Sequence, residues 1–201
     1  MKKMNNKGFT LIELLAVITI MGILMMVAIP AVTRTIENSR RDTFATIAGE
    51  YLNAVRNSAL ADNVECYVGS TWTVASGTPD GTYYFPICTI NSTNGCAAIG
   101  TTMTADQIVN STTDLMESGG RSPFGNSDLR GYVKWVKTTN NTNVDNPKTT
   151  TKYTIALSDV GKHGFSGEQE AKQLKRANVS TSLANIQVNQ PSGTASVCKI
   201  S

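Results

Sequence analysis

Hydrophobic positions follow two successive patterns over the first sixty residues. The nineteen residues Leu14–Val32 carry no charge and one hydroxyl, on Thr19. That length approaches the ~20 residues with which a helix spans a bilayer. After Pro30, apolar residues recur at three- and four-residue steps, which is typical of an amphipathic helix: Ile36, Phe44, Ile47, Ala48, Tyr51, Leu52, Val55 and Ala59. We expect one continuous helix, apolar over residues 9–32 and amphipathic over 33–62.

Residues 63–201 have a different composition, with many Thr, Ser, Asn and Gly residues between short apolar runs. TYYFPICTI, residues 82–90, has the β-branched and aromatic content of a strand, and Pro86 indicates a sheet edge or a break. GYVKWVK and KYTIALSD alternate as strands on either side of a polar loop, residues 138–151, and predict an antiparallel hairpin.

Two short helices are expected in the same region, over residues 104–118 and 168–178, and SVCKIS closes the chain as an alternating apolar segment. A long helix packed on an antiparallel sheet is an α+β fold. The sequence therefore predicts an α+β protein with a globular region, residues 63–201, that follows the helix.

Charge is unevenly distributed. The chain has 18 Lys+Arg and 15 Asp+Glu, and Lys2, Lys3 and Lys7 all precede Gly8. Without residues 1–8 the two counts are equal, and no basic tract follows, so no nucleic-acid partner is predicted. A charged cluster over residues 34–42 has two interpretations, a solvated face outside the membrane or ion pairs between subunits.

Four cysteines lie in the globular region, at Cys66, Cys88, Cys96 and Cys198. They form no CxxC pair, and with a single histidine in the chain they do not suggest zinc. Two disulfides are expected in a domain outside the membrane, with three possible connectivities. Cys88–Cys96 would close a short loop and Cys66–Cys198 would hold the last segment; free buried thiols in a cytosolic protein are the alternative.

The sequence predicts no catalytic residue, cofactor or metal. There is no G-x-S-x-G and no phosphate loop, and GKHG places the single histidine, His163, in a glycine-rich turn. Asp128, Asp145 and Asp159 follow no calcium-ligand spacing and are interpreted as turn-capping residues.

Glu13 is the anomaly of the apolar segment, because an ionised carboxylate in a membrane helix costs ~2.5–3.5 kcal/mol on insertion scales. A secretory signal peptide has a shorter core and a small-x-small cleavage site, which VAIPAVTRT lacks. A plain transmembrane anchor explains neither Glu13 nor Gly8, nor Pro30 within a helical pattern.

KGFTLIEL, from Lys7 on, closely resembles the class III signal of type IV pilins and pseudopilins. The resemblance implies that residues 1–8 are a leader, that a prepilin peptidase cuts between Gly8 and Phe9, and that the Phe9 amine is methylated. Glu13 takes the position of the family's glutamate, which neutralises the amine of a neighbouring subunit during assembly. Gly22 and Pro30 match helix-softening positions. The family fold has an αβ loop after the helix, about four strands and often a C-terminal disulfide.

The resemblance implies a structural subunit, major or minor, that is held in the cytoplasmic membrane and polymerised into an extracellular pilus with identical or related pilin subunits. A membrane platform and an assembly ATPase would be its further partners. The alternative is a pseudopilin of a type II secretion or DNA-uptake system. A membrane-anchored enzyme or binding module is the remote alternative.

Overall fold

The computed structural model describes residues 9–69, 71–88, 121–125, 129–140, 147–159, 163–182 and 196–200. The chain divides into two compact units, Met1–Ser39 and Arg40–Ser201. Within the described residues, the helix and strands are α1 (Leu11–Leu60), β1 (Val64–Val68), β2 (Thr71–Val74), β3 (Gly81–Cys88), β4 (Leu129–Asn140), β5 (Lys148–Asp159), β6 (Gly164–Phe165), β7 (Val179–Ser180) and β8 (Ser196–Ile200).

Helix α1 confirms the predicted long helix and contributes residues to both units. Within the N-terminal unit its side chains are exposed. Within the C-terminal unit (residues 40–201) it buries one stripe: Phe44, Ala45, Ile47, Ala48, Tyr51, Leu52 and Val55. Ile36 was expected to belong to this stripe but is 46% exposed.

The end of α1 is closed by a left-handed residue. Asp62 has φ 58°, and the Asn63 backbone N–H donates to the Ser58 carbonyl at 2.9 Å. A residue in this conformation turns the chain away from the helix axis and satisfies a terminal carbonyl. The turn leads directly into β1.

The C-terminal unit contains one eight-stranded sheet of order β2-β1-β8-β3-β4-β5-β6-β7. All neighbours are antiparallel except β3 and β8, which pair in parallel. The predicted hairpin is confirmed as β4–β5, with Val133 opposite Ile155 and Trp135 opposite Tyr153. The fold is α+β, and the sheet is larger than the four strands that the resemblance implied.

Pro86 does not break β3: it lies inside the strand, opposite Tyr132 of β4. The described pairing of β3 with β8 involves Tyr83 and Tyr84, ahead of the proline, so Pro86 has the edge position that was one of the two expectations. Two other expectations for the strands were wrong. The polar loop is shorter than 138–151, because threonine-rich β4 and β5 continue to Asn140 and from Lys148. In place of a loop after α1, β1 and β2 follow the helix at once.

The expected helix over residues 168–178 was also wrong. This stretch forms two 3-10 turns, Ala171–Gln173 and Arg176–Asn178. The Gln169 backbone exchanges two hydrogen bonds with Ile155, of 2.8 and 2.9 Å, and is therefore extended. What remains is too short to be stable as an isolated helix. The helix expected over residues 104–118 lies outside the described residues.

A single hydrophobic core lies between the buried stripe of α1 and one face of the sheet. Aromatic rings contact one another within it: Phe44 of the helix lies 5.7 Å from Phe165, and Tyr83 lies 5.1 Å from Trp135, centroid to centroid. Burial of such large rings contributes strongly to the hydrophobic stabilisation of the unit.

The charged cluster of residues 34–42 is partly used within the C-terminal unit. The Arg176 guanidinium lies 3.3 Å from the Asp42 carboxylate, and the Arg41 guanidinium donates to the Thr181 hydroxyl at 3.2 Å. Asp42 therefore has an ion-pair partner in its own chain. The two interpretations of the cluster, a solvated face and ion pairs between subunits, did not include such a contact.

A disulfide joins Cys66 of β1 to Cys198 of β8, which confirms that pairing. The two residues are direct cross-strand partners in the antiparallel β1–β8 pair. Cys88 is the last residue of β3, and Cys96 lies outside the described residues. The Cys88–Cys96 bond thus stays a prediction.

Candidate assembly site at the start of the long helix

The N-terminal unit presents an apolar surface. Every large apolar side chain from Phe9 to Val32 is more than half exposed, and Phe9 is 91% exposed. By length and composition alone, α1 is long and apolar enough to cross a membrane. Polar side chains along this stretch are satisfied internally: the Thr19 hydroxyl donates to the Ala16 carbonyl at 2.8 Å.

Glu13 belongs to a hydrogen-bonded ring at the first turn of α1. Its Oε2 accepts from the Thr10 backbone N–H at 2.8 Å and from the Thr10 hydroxyl at 2.7 Å. In return, the Glu13 backbone N–H donates to the Thr10 hydroxyl oxygen at 3.4 Å. This is a capping box, in which Thr at the N-cap and Glu three residues later satisfy each other's helix-end groups.

Gly22 and Pro30 lie within the continuous helix. A side chain added at Gly22 would meet nothing within 4 Å. Pro30 has no N–H to donate to the preceding turn, and the Thr33 hydroxyl donates to the carbonyls of Ile29 and Pro30 at 3.1 Å. Helix softening at these residues stays a prediction.

Gly8 lies outside the described residues, so the structure brings together Phe9, Thr10 and Glu13 at one helix end. Thr10 was missed by the sequence analysis. A signal for it was present, because T-x-x-E directly before an apolar run is the sequence pattern of a capping box.

A second polar cluster, also missed, lies in the C-terminal unit around the buried Asp159. Its carboxylate accepts from the Ser122 hydroxyl at 2.9 Å and from the His163 backbone N–H at 3.0 Å, and lies 2.7 Å from His163 Nδ1. The His163 ring stacks on Phe124 at 4.0 Å. His163, which was predicted to lie in a glycine-rich turn, is half-buried and has Asp159 as its partner.

The three side chains resemble a catalytic triad in composition only. The Ser122 hydroxyl bonds to the carboxylate and not to the imidazole, so the histidine is not placed to activate it. The cluster instead attaches residues 121–125 to the end of β5. Across the described ranges, no three His, Cys, Asp or Glu side chains are grouped to hold a metal ion.

Comparison with known proteins gives one match. Residues 3–29 match the family model described as the prokaryotic N-terminal methylation motif. No curated protein and no solved structure matches the chain. A signal of this kind implies processing by a prepilin peptidase and assembly with pilin-type subunits, and together with the apolar helix it is consistent with membrane anchoring. The N-terminal segment of this α+β protein is thus a class III prepilin signal, as in type IV pilins and pseudopilins.

Proposed function

We propose that the chain is a type IV pilin-like structural subunit, major or minor. A prepilin peptidase cuts between Gly8 and Phe9, and the Phe9 amine is methylated. The apolar part of α1 then holds the subunit in the cytoplasmic membrane until its helix packs among those of other subunits in an extracellular pilus. The observation that carries the proposal is the prepilin signal running directly into an apolar helical segment whose large side chains are exposed from Phe9 to Val32.

The apolar surface explains why such a subunit needs a membrane first and a filament later. Burying one large apolar side chain stabilises by ~1.5–3 kcal/mol, and more than a dozen are exposed between Phe9 and Val32. Lipid covers them before assembly and neighbouring helices cover them afterwards. The surroundings stay apolar while the subunit leaves the bilayer.

Glu13 has a charge that apolar surroundings tolerate only with a partner. Burying an isolated carboxylate or ammonium group is very costly, whereas a hydrogen-bonded pair offsets much of that cost. Cleavage after Gly8 creates a positive amine on Phe9. In a filament, Glu13 of one subunit pairs with the Phe9 amine of the next and sets the register of addition.

Mass spectrometry of the mature N-terminus in the native host tests the processing step. We expect a chain that begins with N-methylated Phe9. An intact Met1, or cleavage near Ala31, would refute the proposal at its first step.

Glu13→Ala tests the assembly step. Processing at Gly8 should be largely unchanged, while the yield of sheared filaments should fall severely, because the Phe9 amine loses its partner. Glu50→Ala, which removes an exposed carboxylate from the other part of α1, is the control and should assemble normally. Normal filament yield from Glu13→Ala would contradict the role of the carboxylate.

Imaging of the cell surface with antibody to the globular region separates pilin from pseudopilin. Long labelled fibres support a pilin. Their absence, together with loss of secretion or of DNA uptake on deletion, would identify a pseudopilin of the corresponding machine.

A further inference from the structure

A basic surface lies where the start of the C-terminal unit meets the 3-10 turns of residues 171–178. The Arg176 guanidinium lies 3.3 Å from the Asp42 carboxylate, and the Arg41 guanidinium donates to the Thr181 hydroxyl at 3.2 Å. These contacts bring α1 and the turns together. We call their basic side chains the basic edge: Arg40, Arg41, Lys172, Lys175 and Arg176.

The basic edge has an excess of positive charge in a chain that is otherwise balanced. Without residues 1–8, the chain has equal numbers of basic and acidic side chains. Glu170 is shared by Lys152 and Lys172. Arg40 and Lys175 have no ion pair with any described residue. The nearest acidic residues along the same segments are fewer than the basic ones and comprise Glu37, Asp42 and Glu170.

The basic edge is accessible to an anion from outside. The side chains of Arg176 and Asp42 are 52% and 56% exposed, and an ion pair between exposed groups contributes little. The turns also leave a groove of about 610 Å³ against α1, which Lys175 and Arg176 both line. A phosphate group can reach both side chains, and a guanidinium binds phosphate through two parallel hydrogen bonds.

Membrane anchoring places lipid headgroups near this edge. Arg40 follows Val32, the end of the apolar segment, by eight positions in α1, and eight helical residues rise about 12 Å. The headgroup layer accounts for about 5–7 Å of that distance, and a charge acts over about 8 Å at physiological salt. Arg40 also precedes the buried Phe44 by one turn, so it lies on the helix face that meets the sheet.

We propose that the basic edge docks on the headgroups of anionic lipids while the subunit is held in the membrane. The inference rests on the proposed function, because the membrane-held subunit is one of its stages. Each Lys or Arg near an anionic surface shifts such an equilibrium about fivefold. Docking holds the C-terminal unit at the membrane surface, and departure of α1 from the bilayer releases it, because the attraction decays within a Debye length.

Hydrogen exchange of the processed full chain in lipid nanodiscs tests the inference. One set of discs contains phosphatidylcholine alone, and the other an equimolar mixture with phosphatidylglycerol. We expect the amides of residues 171–178 to exchange about 25-fold more slowly in the anionic discs, with fivefold from each of Arg40 and Lys175. The difference should disappear in about 1 M salt, where the Debye length is about 3 Å.

Arg40→Gln and Lys175→Gln each remove one of the two basic side chains without a described ion pair. In either variant the slowing should fall to about fivefold. Each variant is compared with itself in neutral discs, so a local change in the turns alone does not count. Lys148→Gln is the matched control, because this exposed lysine lies seven residues before Ile155, the β5 residue that pairs with Gln169. It should keep the slowing of wild type.

The outcomes separate this inference from the proposed function. A chain that enters both kinds of disc but exchanges equally in them would overturn the inference and leave membrane anchoring standing. A chain that enters neither would refute the membrane-held stage and the inference with it. Equal losses in Lys148→Gln and Lys175→Gln would show that total charge and not the basic edge is responsible. Inorganic phosphate added to phosphatidylcholine discs should not reproduce the slowing; if it did, the assignment to lipid would fail.

Discussion

At the scale of single residues, Lys137 shows how one side chain of β4 orders a distant turn. Its ammonium group donates to the carbonyl oxygens of Thr78 at 2.7 Å, Ala75 at 3.2 Å and Ser76 at 3.3 Å. These residues belong to the 3-10 turn between β2 and β3. Three carbonyls that face one another are held together by a cation from the same chain.

We expect Lys137→Met to lower the free energy of unfolding by about 1–3 kcal/mol, because it leaves carbonyl groups without a donor. Urea unfolding of the full chain in micelles, followed by tryptophan fluorescence, measures the change. Lys148→Met, at an exposed lysine on β5, is the matched control and should stay within about 0.5 kcal/mol of wild type. Equal losses of stability in Lys137→Met and Lys148→Met would contradict the role of Lys137 in ordering the turn.

Two aspartates flank the same turn. Asp62 accepts from the backbone N–H and hydroxyl of Ser76, and Asp80 from those of Thr139, at 2.6–2.8 Å. These hydrogen bonds are the main cause that lowers the pKa of each carboxyl below its ordinary value, and Lys137 adds a smaller effect.

The lowered pKa values predict a loss of stability in acid. A carboxyl whose pKa is lower in the folded state stabilises the fold above its unfolded pKa, about 3.9 for Asp, and the contribution disappears as pH falls through the folded pKa. Urea unfolding should therefore be easier below about pH 4. In Asp62→Asn combined with Asp80→Asn, this acid-dependent fall should be smaller than in wild type. If the free energy of unfolding fell equally steeply with pH in both proteins, Asp62 and Asp80 would not be the source of the acid sensitivity.

Residue roles could be predicted where the partners are close in sequence. Glu13 stood out because it is the one carboxylate in an apolar run, and T-x-x-E contained its local partner. Lys137 could not be interpreted in this way, because its partner Thr78 lies far away along the chain and only tertiary packing brings the two into contact. Asp159 has one near partner, His163, but its contact with Ser122 likewise depends on tertiary packing.

At the scale of elements, the Cys66–Cys198 disulfide cross-links the β1–β8 pair. The bond spans 132 positions, so it closes a long loop. In the chain-entropy model a loop of this size stabilises by about 4–5 kcal/mol, although native contacts shift the measured value. β8 is only five residues long and gains the most from this attachment.

Cys198→Ser should lower the free energy of unfolding by about 2–5 kcal/mol. Urea unfolding of oxidised wild type and of the variant measures the loss. Reduction of wild type with dithiothreitol should produce a similar decrease, whereas the variant should change less on reduction. Equal stability of wild type and Cys198→Ser would contradict the proposed contribution of the bond.

The apolar part of α1 allows a separate test of helix softening. Gly22→Ala has open space for its methyl group and favours the helix by about 0.5–1 kcal/mol. Hydrogen exchange of amides around residue 22 should become slower in micelles, with Phe9 processing unchanged. Ala28→Gly is the converse control and should make exchange faster. Unchanged exchange in both would contradict softening at this glycine.

Elements with a clear local pattern could be predicted, including β3 and β8, whereas β1, β2 and the turns of residues 168–178 could not. α1 and the β4–β5 hairpin have long repeating patterns and local turn signals. Residues 168–178 have good helix formers, but pairing of Gln169 with Ile155 overrides that propensity. β1 and β2 are short, and their pairing with each other and with β8 is not visible in local composition.

At the scale of the whole molecule, β8 connects two parts of the sheet. Among the described strands, it alone joins the β1–β2 hairpin to β3 and the strands beyond. Without β8, the edges of β1 and β3 that face it would both lose their hydrogen-bonding partner. The α+β class could be predicted because it follows from one long helix and several strands; this strand order could not, because it depends on pairing between distant segments.

A chain that stops before Ser196 should therefore fail to complete the sheet. We expect it to be degraded by added protease at concentrations that wild type resists, since open sheet edges also invite aggregation. Deletion of Ser201 alone is the control and should behave as wild type. Equal protease resistance of the two shortened chains would show that the strands hold together without β8.

The position of β8 also dictates when folding can finish. Hairpins form early because their contacts are local, whereas a strand that must find partners more than a hundred residues upstream folds late. Until β8 has paired, the position between β1 and β3 is open and can accept β8 from a neighbouring chain. Strand exchange of this kind is a known hazard for incompletely folded chains. Covalent capture of β8 by the Cys66–Cys198 bond, as soon as that strand enters its own sheet, closes this slot to the strands of other chains.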